Sequence, residues 1–65
     1  MITKGTKACM LDEKDEILIF NGKVWEKCSI VAIHYGGVTI NLILEGKHER
    51  KVWFYRDEIV NKVVG

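Results

Sequence analysis

The residues of this 65-residue chain whose types could carry a reaction are three adjacent acid pairs, Asp12-Glu13, Asp15-Glu16 and Asp57-Glu58, and four potential metal ligands, Cys9, Cys28, His34 and His48. Paired carboxylates do acid–base work where a water-excluding cleft pushes their pKa values apart. All three pairs lie beside expected turns, where solvated charge is the simpler reading. A structural zinc site is built from closely spaced ligand pairs, and no two of the four residues have that spacing. Thiol activation needs a histidine or a positive environment, and neither cysteine has a histidine beside it in sequence. Gly36-Gly37 is a lone pair that a turn explains, without the extended glycine pattern that cradles phosphate. The chain is therefore expected to be non-catalytic and to use no metal or cofactor. Its cysteines are expected to be two packed, reduced thiols.

Binding chemistry is better represented. The segment Arg50-Lys51-Val52-Trp53-Phe54-Tyr55-Arg56 interleaves three aromatics with three cations. Alternate residues of a strand share a face, so if Val52 and Phe54 point inward, Trp53 and Tyr55 point outward. Exposed aromatics beside Arg and Lys stack on a base or anchor a protein contact. Trp53, Tyr55, Arg50, Lys51 and Arg56 are thus the candidate contact residues, with the cations available for phosphate. The bland alternative puts all three aromatics in the core, because a domain this small has few other large side chains.

The elements that must position these residues are strands. Eight isoleucines and seven valines, with no proline, favour β structure, and turn signals at Asn21-Gly22, Gly36-Gly37 and Glu45-Gly46-Lys47-His48 punctuate them. Asn-Gly predicts a two-residue turn that pairs Phe20 with Lys23, Leu18 with Trp25 and Glu16 with Lys27. The strand Cys28 to Tyr35 then turns into Val38 to Glu45, pairing Tyr35 with Val38, Ile33 with Ile40 and Val31 with Leu42. A three-residue turn at Gly46 to His48 sets Val52 opposite Leu42 and Phe54 opposite Ile40 in the strand Glu49 to Arg56. Thr6 to Leu11 is read as an opening strand and Ile59 to Val64 as the last.

This register puts Leu18, Phe20, Trp25, Val31, Ile33, Tyr35, Val38, Ile40, Leu42 and Leu44 on the core face. The second face carries Ile30, Ala32 and Ile43 beside Trp53 and Tyr55. A soluble monomer rarely shows so continuous an apolar face. Ile30, Ala32 and Ile43 are accordingly assigned to a contact between copies of the chain, which would also relieve the marginal stability of a small core.

Ten basic residues against nine acidic ones, for a formal net charge of +1, lack the basic excess of a domain that grips a nucleic-acid backbone. A hydrophobic content of 48% excludes a disordered chain. No apolar run is long enough to span a membrane or to serve as a leader, so a cytoplasmic setting is expected. One domain over residues 1–65 fits the length.

Lys4-Gly5-Thr6 opening the first strand, Trp25-x-x-Cys28-x-Ile30 in the second hairpin strand, and Asp57-Glu58-Ile59 before the last strand resemble the SH3-like small barrels, Tudor- and KOW-like members above all. The resemblance implies an all-β, five-stranded SH3-like barrel, with an OB-like barrel or an open antiparallel sheet as the alternatives. The Tudor aromatic cage has no counterpart here. Plasmid-borne dihydrofolate reductases, which build a pore from such barrels, are similar in scale and strand order, but their active-site motif has no match in this chain. In size and type the chain also resembles phage or prophage accessory proteins, which inhibit a host protein or sequester a host signal. The leading expectation is a homo-oligomeric binding protein whose ligand is a protein partner or a small nucleotide. A nucleic-acid-binding barrel is the second.

Overall fold

The computed structural model describes all 65 residues. Six strands form: β1 (Thr3–Lys7), β2 (Glu16–Phe20), β3 (Trp25–Gly36), β4 (Thr39–Glu45), β5 (Arg50–Tyr55) and β6 (Ile59–Val63). A single 3-10 turn, Ala8–Met10, follows β1. The fold is all-β, as expected. Of the expected architectures it is the open antiparallel sheet, in the order β1-β6-β2-β3-β4-β5. A flat sheet with its side chains is about 10 Å thick, whereas the smallest extent of this molecule is 22 Å, so the sheet is strongly curled. Its edges β1 and β5 do not pair. The chain leaves the β1 edge at Lys7, and the 3-10 turn sends the Ala8 and Cys9 N–H groups to the carbonyls of Glu58 and Arg56 instead. The five-stranded closed barrel is corrected on this ground.

The core is formed by Ala8, Leu11, Ile17, Cys28, Ile30, Ile40, Leu42, Leu44 and Val60, with Ile19, Ile33, Val52 and Phe54 half-buried against it. From Ile33 onward the expected inner face holds for the strand residues, with Ile33 opposite Leu42, Leu42 opposite Val52, and Ile40 opposite Phe54. Tyr35 and Val38, expected in the core, lie instead at the exposed hairpin end. Upstream the inner face is inverted. The register slips between Ile30 and Ala32, leaving Val31 as the extra residue of a β-bulge, and an extra residue reverses the parity of everything before it. Ile30 is therefore in the core, only 1% exposed, while Val31 is 43% exposed. Ile30 is thus not part of an oligomer face. For the same reason Ile17 and Ile19 point inward, and Leu18, Phe20 and Trp25 do not.

Both early hairpins also pair two residues away from the expected register. Asn21 Oδ1 accepts the N–H groups of Lys23 and Val24, and Asn21 N–H donates to the Val24 carbonyl. This closes a four-residue loop that sets Phe20 opposite Trp25. Of the Asn21-Gly22 pair only Gly22 takes a positive φ, of 97°. Glu16 and Lys27 still meet at 3.6 Å, but diagonally, since Lys27 is opposite Leu18. At the next turn Gly36 pairs with Thr39, so the two turn residues are Gly37, at a φ of 59°, and Val38.

Cys28 is buried and Cys9 half-buried. Burial pushes the Cys28 thiol pKa up, the nearby Glu26 adding to it and Arg50 opposing it.

The bulge makes a sharp prediction. Ile30→Ala should cost about 2–5 kcal/mol, the usual range for truncating a buried isoleucine, and Val31→Ala well under half of that. Urea unfolding of both variants measures this, and an uninterrupted strand would give the opposite ranking.

Candidate interaction surface

Strand β5 presents the sequence-predicted residues on two different faces. Trp53 and Tyr55 point outward, each more than half exposed, and their rings meet edge to face with centroids 5.2 Å apart. Lys51 is exposed and, two residues before Trp53, shares that face. Ala32 and Ile43 are half-buried and opposite each other, and Ile43 is opposite Lys51.

Arg50 belongs to the other face. Its Nη2 donates to Glu26 Oε2, and the two side chains are only 27% and 16% exposed. Arg50 therefore ties β5 to the start of β3 and is not a free cation for a ligand. Arg56 lies just beyond the strand end, where its Nη1 donates to the Gly37 carbonyl at 3.2 Å. Three of the five candidates, Lys51, Trp53 and Tyr55, form one surface.

A second aromatic pair was missed by sequence reasoning. Phe20 and Trp25, opposite each other at the hairpin end, are both more than half exposed, with ring centroids 5.4 Å apart. The run Ile17-Leu18-Ile19-Phe20 has no polar alternation to report its inner face. The signal lay in β3 instead, where polar Lys27 and Ser29 alternate with Cys28 and Ile30. That alternation puts Cys28 and Ile30 inside and hence Trp25 outside.

Between the two aromatic groups runs a cleft of about 410 Å³. Leu18, Phe20 and Trp25 line one side, Val52, Trp53 and Phe54 the other, and Ile59 and Val60 of β6 also reach it. It exists because β5 and β6, though consecutive, are not neighbours in the sheet. Nine of its eleven lining residues are apolar, and the only charged one is Glu58. Its size and lining suit an apolar group, while Glu58 opposes a phosphate.

Of the acids singled out above, Asp15, Glu16, Asp57 and Glu58 hold turns or ion pairs. Asp15 Oδ2 accepts the Asp12 N–H at 2.9 Å and lies 3.4 Å from Lys62 Nζ. Glu58 Oε1 accepts the Tyr55 N–H at 3.2 Å. Asp57 faces Lys7 at 3.9 Å. No three His, Cys, Asp or Glu side chains gather into a ligand set, so Cys9, Cys28, His34 and His48 do not come together. No helix is long and apolar enough to cross a membrane.

Comparison of the chain with models of known protein families, with curated proteins and with solved structures finds no match.

The Glu26 carboxyl is held below its ordinary pKa of 4.5, first by the Asn21 amide that donates to it at 2.7 Å; burial, the next largest influence, opposes this, and the Arg50 guanidinium adds to the lowering. A carboxyl whose folded pKa is lowered stabilises the fold above its unfolded pKa, and that contribution disappears as pH falls through the folded value. Stability should therefore fall as pH drops below the ordinary glutamate range, and Glu26→Gln should flatten that part of the acid limb. Urea midpoints measured from neutral pH down to strongly acidic pH check this.

Proposed function

We propose that this is a non-catalytic binding protein that meets another protein chain through the aromatic-walled cleft between β5 and the β2–β3 hairpin. The observation that carries this reading is the exposure of Phe20, Trp25 and Trp53 around one apolar cleft, with Tyr55 packed edge to face against Trp53 beside it. Aromatic side chains left in water on a small domain cost solvation that a partner's surface recovers, and such residues dominate contact energies. The curled all-β sheet supports a likeness to the SH3-like barrels in scale and strand content. A role as a cytoplasmic phage-type accessory protein, homo-oligomeric and acting on a host protein, belongs to the same reading.

Two narrower versions rest on the outer face of β5. Trp53 and Tyr55 beside Lys51 can stack on a base, which supports a trapped nucleotide signal or single-stranded nucleic acid. With Arg50 held by Glu26, Lys51 is the one unpaired cation on that face, which is little for a phosphate chain.

Replacing Trp25 or Trp53 by alanine should leave the β circular dichroism and the cooperative melt in place, because both are mostly in water. Native mass spectrometry of protein purified from its natural host should show a retained protein chain that the Trp25→Ala variant loses. Outright unfolding of both variants would mean that the aromatics serve the core. Tight binding of a single-stranded oligonucleotide that weakens steeply with salt would favour the nucleic-acid version.

A further inference from the structure

The two edges of the sheet are protected very differently. Natural edge strands discourage pairing with other chains through lysines, prolines, bulges or short length. β1, Thr-Lys-Gly-Thr-Lys, carries two exposed lysines and a glycine, and the 3-10 turn ends it. β5, Arg-Lys-Val-Trp-Phe-Tyr, is rich in aromatics, with no proline or bulge and with Lys51 as its one unpaired charge.

The hydrogen bonding shows which backbone groups that edge leaves open. Arg56 N–H donates to the Val38 carbonyl at 3.0 Å, in register with the β4–β5 pairing. Bonded pairs alternate along an antiparallel ladder, so Phe54, Val52 and Arg50 direct their N–H and C=O groups to β4. Tyr55, Trp53 and Lys51 direct theirs to the free edge. Glu58 takes both groups of Tyr55, its carboxylate accepting the N–H and its own N–H donating to the carbonyl. The open set is two residues long: the N–H and C=O groups of Lys51 and Trp53.

We propose that the chain forms a dimer by antiparallel pairing of β5 with β5 of a second copy, in the register centred on Val52. This names the chain that the surface proposed above meets first, and it rests on that reading. In this register Lys51 faces the partner's Trp53 and Trp53 faces the partner's Lys51, so all four open donors and all four open acceptors are used. A two-fold interface requires this self-complementarity. Each Lys51 ammonium comes beside an exposed indole, a favourable cation–π contact. Val52 lies opposite the partner's Val52 on the cleft side, so the second strand covers the cleft along β5. Pairing β5 with the β1 edge of another copy would instead bring the exposed lysines of β1 towards Lys51, which disfavours a head-to-tail ring.

Sedimentation at high micromolar concentration should give twice the 7.5 kDa chain mass. Lys51→Pro removes only an outward N–H, so the β4–β5 ladder stays intact, and this variant should keep its β circular dichroism and sediment as a 7.5 kDa monomer. Opposed residues in a non-hydrogen-bonded pair have Cα atoms about 4.5 Å apart, within disulfide reach. Mildly oxidised Val52→Cys should therefore give a 52-to-52 disulfide, identified by mass spectrometry of a digest and necessarily between chains. Trp53→Cys should not cross-link to itself. If Lys51→Pro fails to fold, the cross-link decides alone. A monomeric wild type, a folded Lys51→Pro variant that stays dimeric, or cross-linking through residue 53 in place of 52 would each overturn the dimer. A monomer whose partner chain is still lost in Trp25→Ala would overturn the dimer and leave the binding surface standing.

Discussion

The bulge at Val31 is the constraint on which the rest of the molecule depends. Ile30 is held from both sides of its strand. It exchanges backbone hydrogen bonds with Lys14 and Asp15 at 2.8 and 2.9 Å, and it sits opposite Leu44 on the β4 side. The Asp12–Asp15 turn that holds it is closed by the Asp15 carboxylate and by Lys14 at a φ of 75°. With Ile30 held there and Ile33 opposite Leu42, one residue is left over. A bulge bends its strand and increases the local twist, so the twelve-residue β3 can serve β2 with one half and β4 with the other. That bend lets a six-stranded sheet curl around nine buried residues.

The curl brings β5 over the start of β3, where Glu26 and Arg50 meet on the inner side. Fully buried ion pairs often fail to recover their desolvation cost. This one keeps some contact with water, and Asn21 supplies a further donor to Glu26. The pair holds one end of the edge strand in place, and Glu58 holds the other by satisfying Tyr55. What lies between supplies the wall of the cleft, Val52 to Phe54, and the open edge, Lys51 and Trp53. The groups that bring β5 to this position are thus the charged ones, and the groups left to meet a partner are mostly apolar.

The inversion upstream of the bulge has a direct functional consequence. With Cys28 and Ile30 inside, Phe20 and Trp25 have no place in the core, and they face Trp53 across the cleft. A straight β3 would have buried them and turned Ile30 to the surface, leaving Trp53 and Tyr55 without an aromatic counterpart. The acid pairs, which by type alone suggested acid–base chemistry, are distributed among turns and ion pairs.

Composition and turn signals by themselves determined the all-β class, and alternation along β5 put Trp53 and Tyr55 on the face opposite Val52 and Phe54, while the tertiary structure decided which of those faces is outward. Such alternation is short-range, and a strand of period two imposes it on its own residues. The tertiary structure alone decided the partner of Arg50 and the bulge that separates Ile30 from the parity of Ile33. The only sequence sign of an outward Trp25 was the alternation of Lys27 and Ser29 with Cys28 and Ile30. One unpaired residue reverses parity without altering local composition, and Val31 is as apolar as its neighbours, so no residue type marks the bulge. The partner of Arg50 lies 24 residues away on a strand that only the curl brings near. The open sheet was equally out of reach of the sequence, because closure depends on how two distant edges meet, and here the 3-10 turn after β1 takes the chain away before they do.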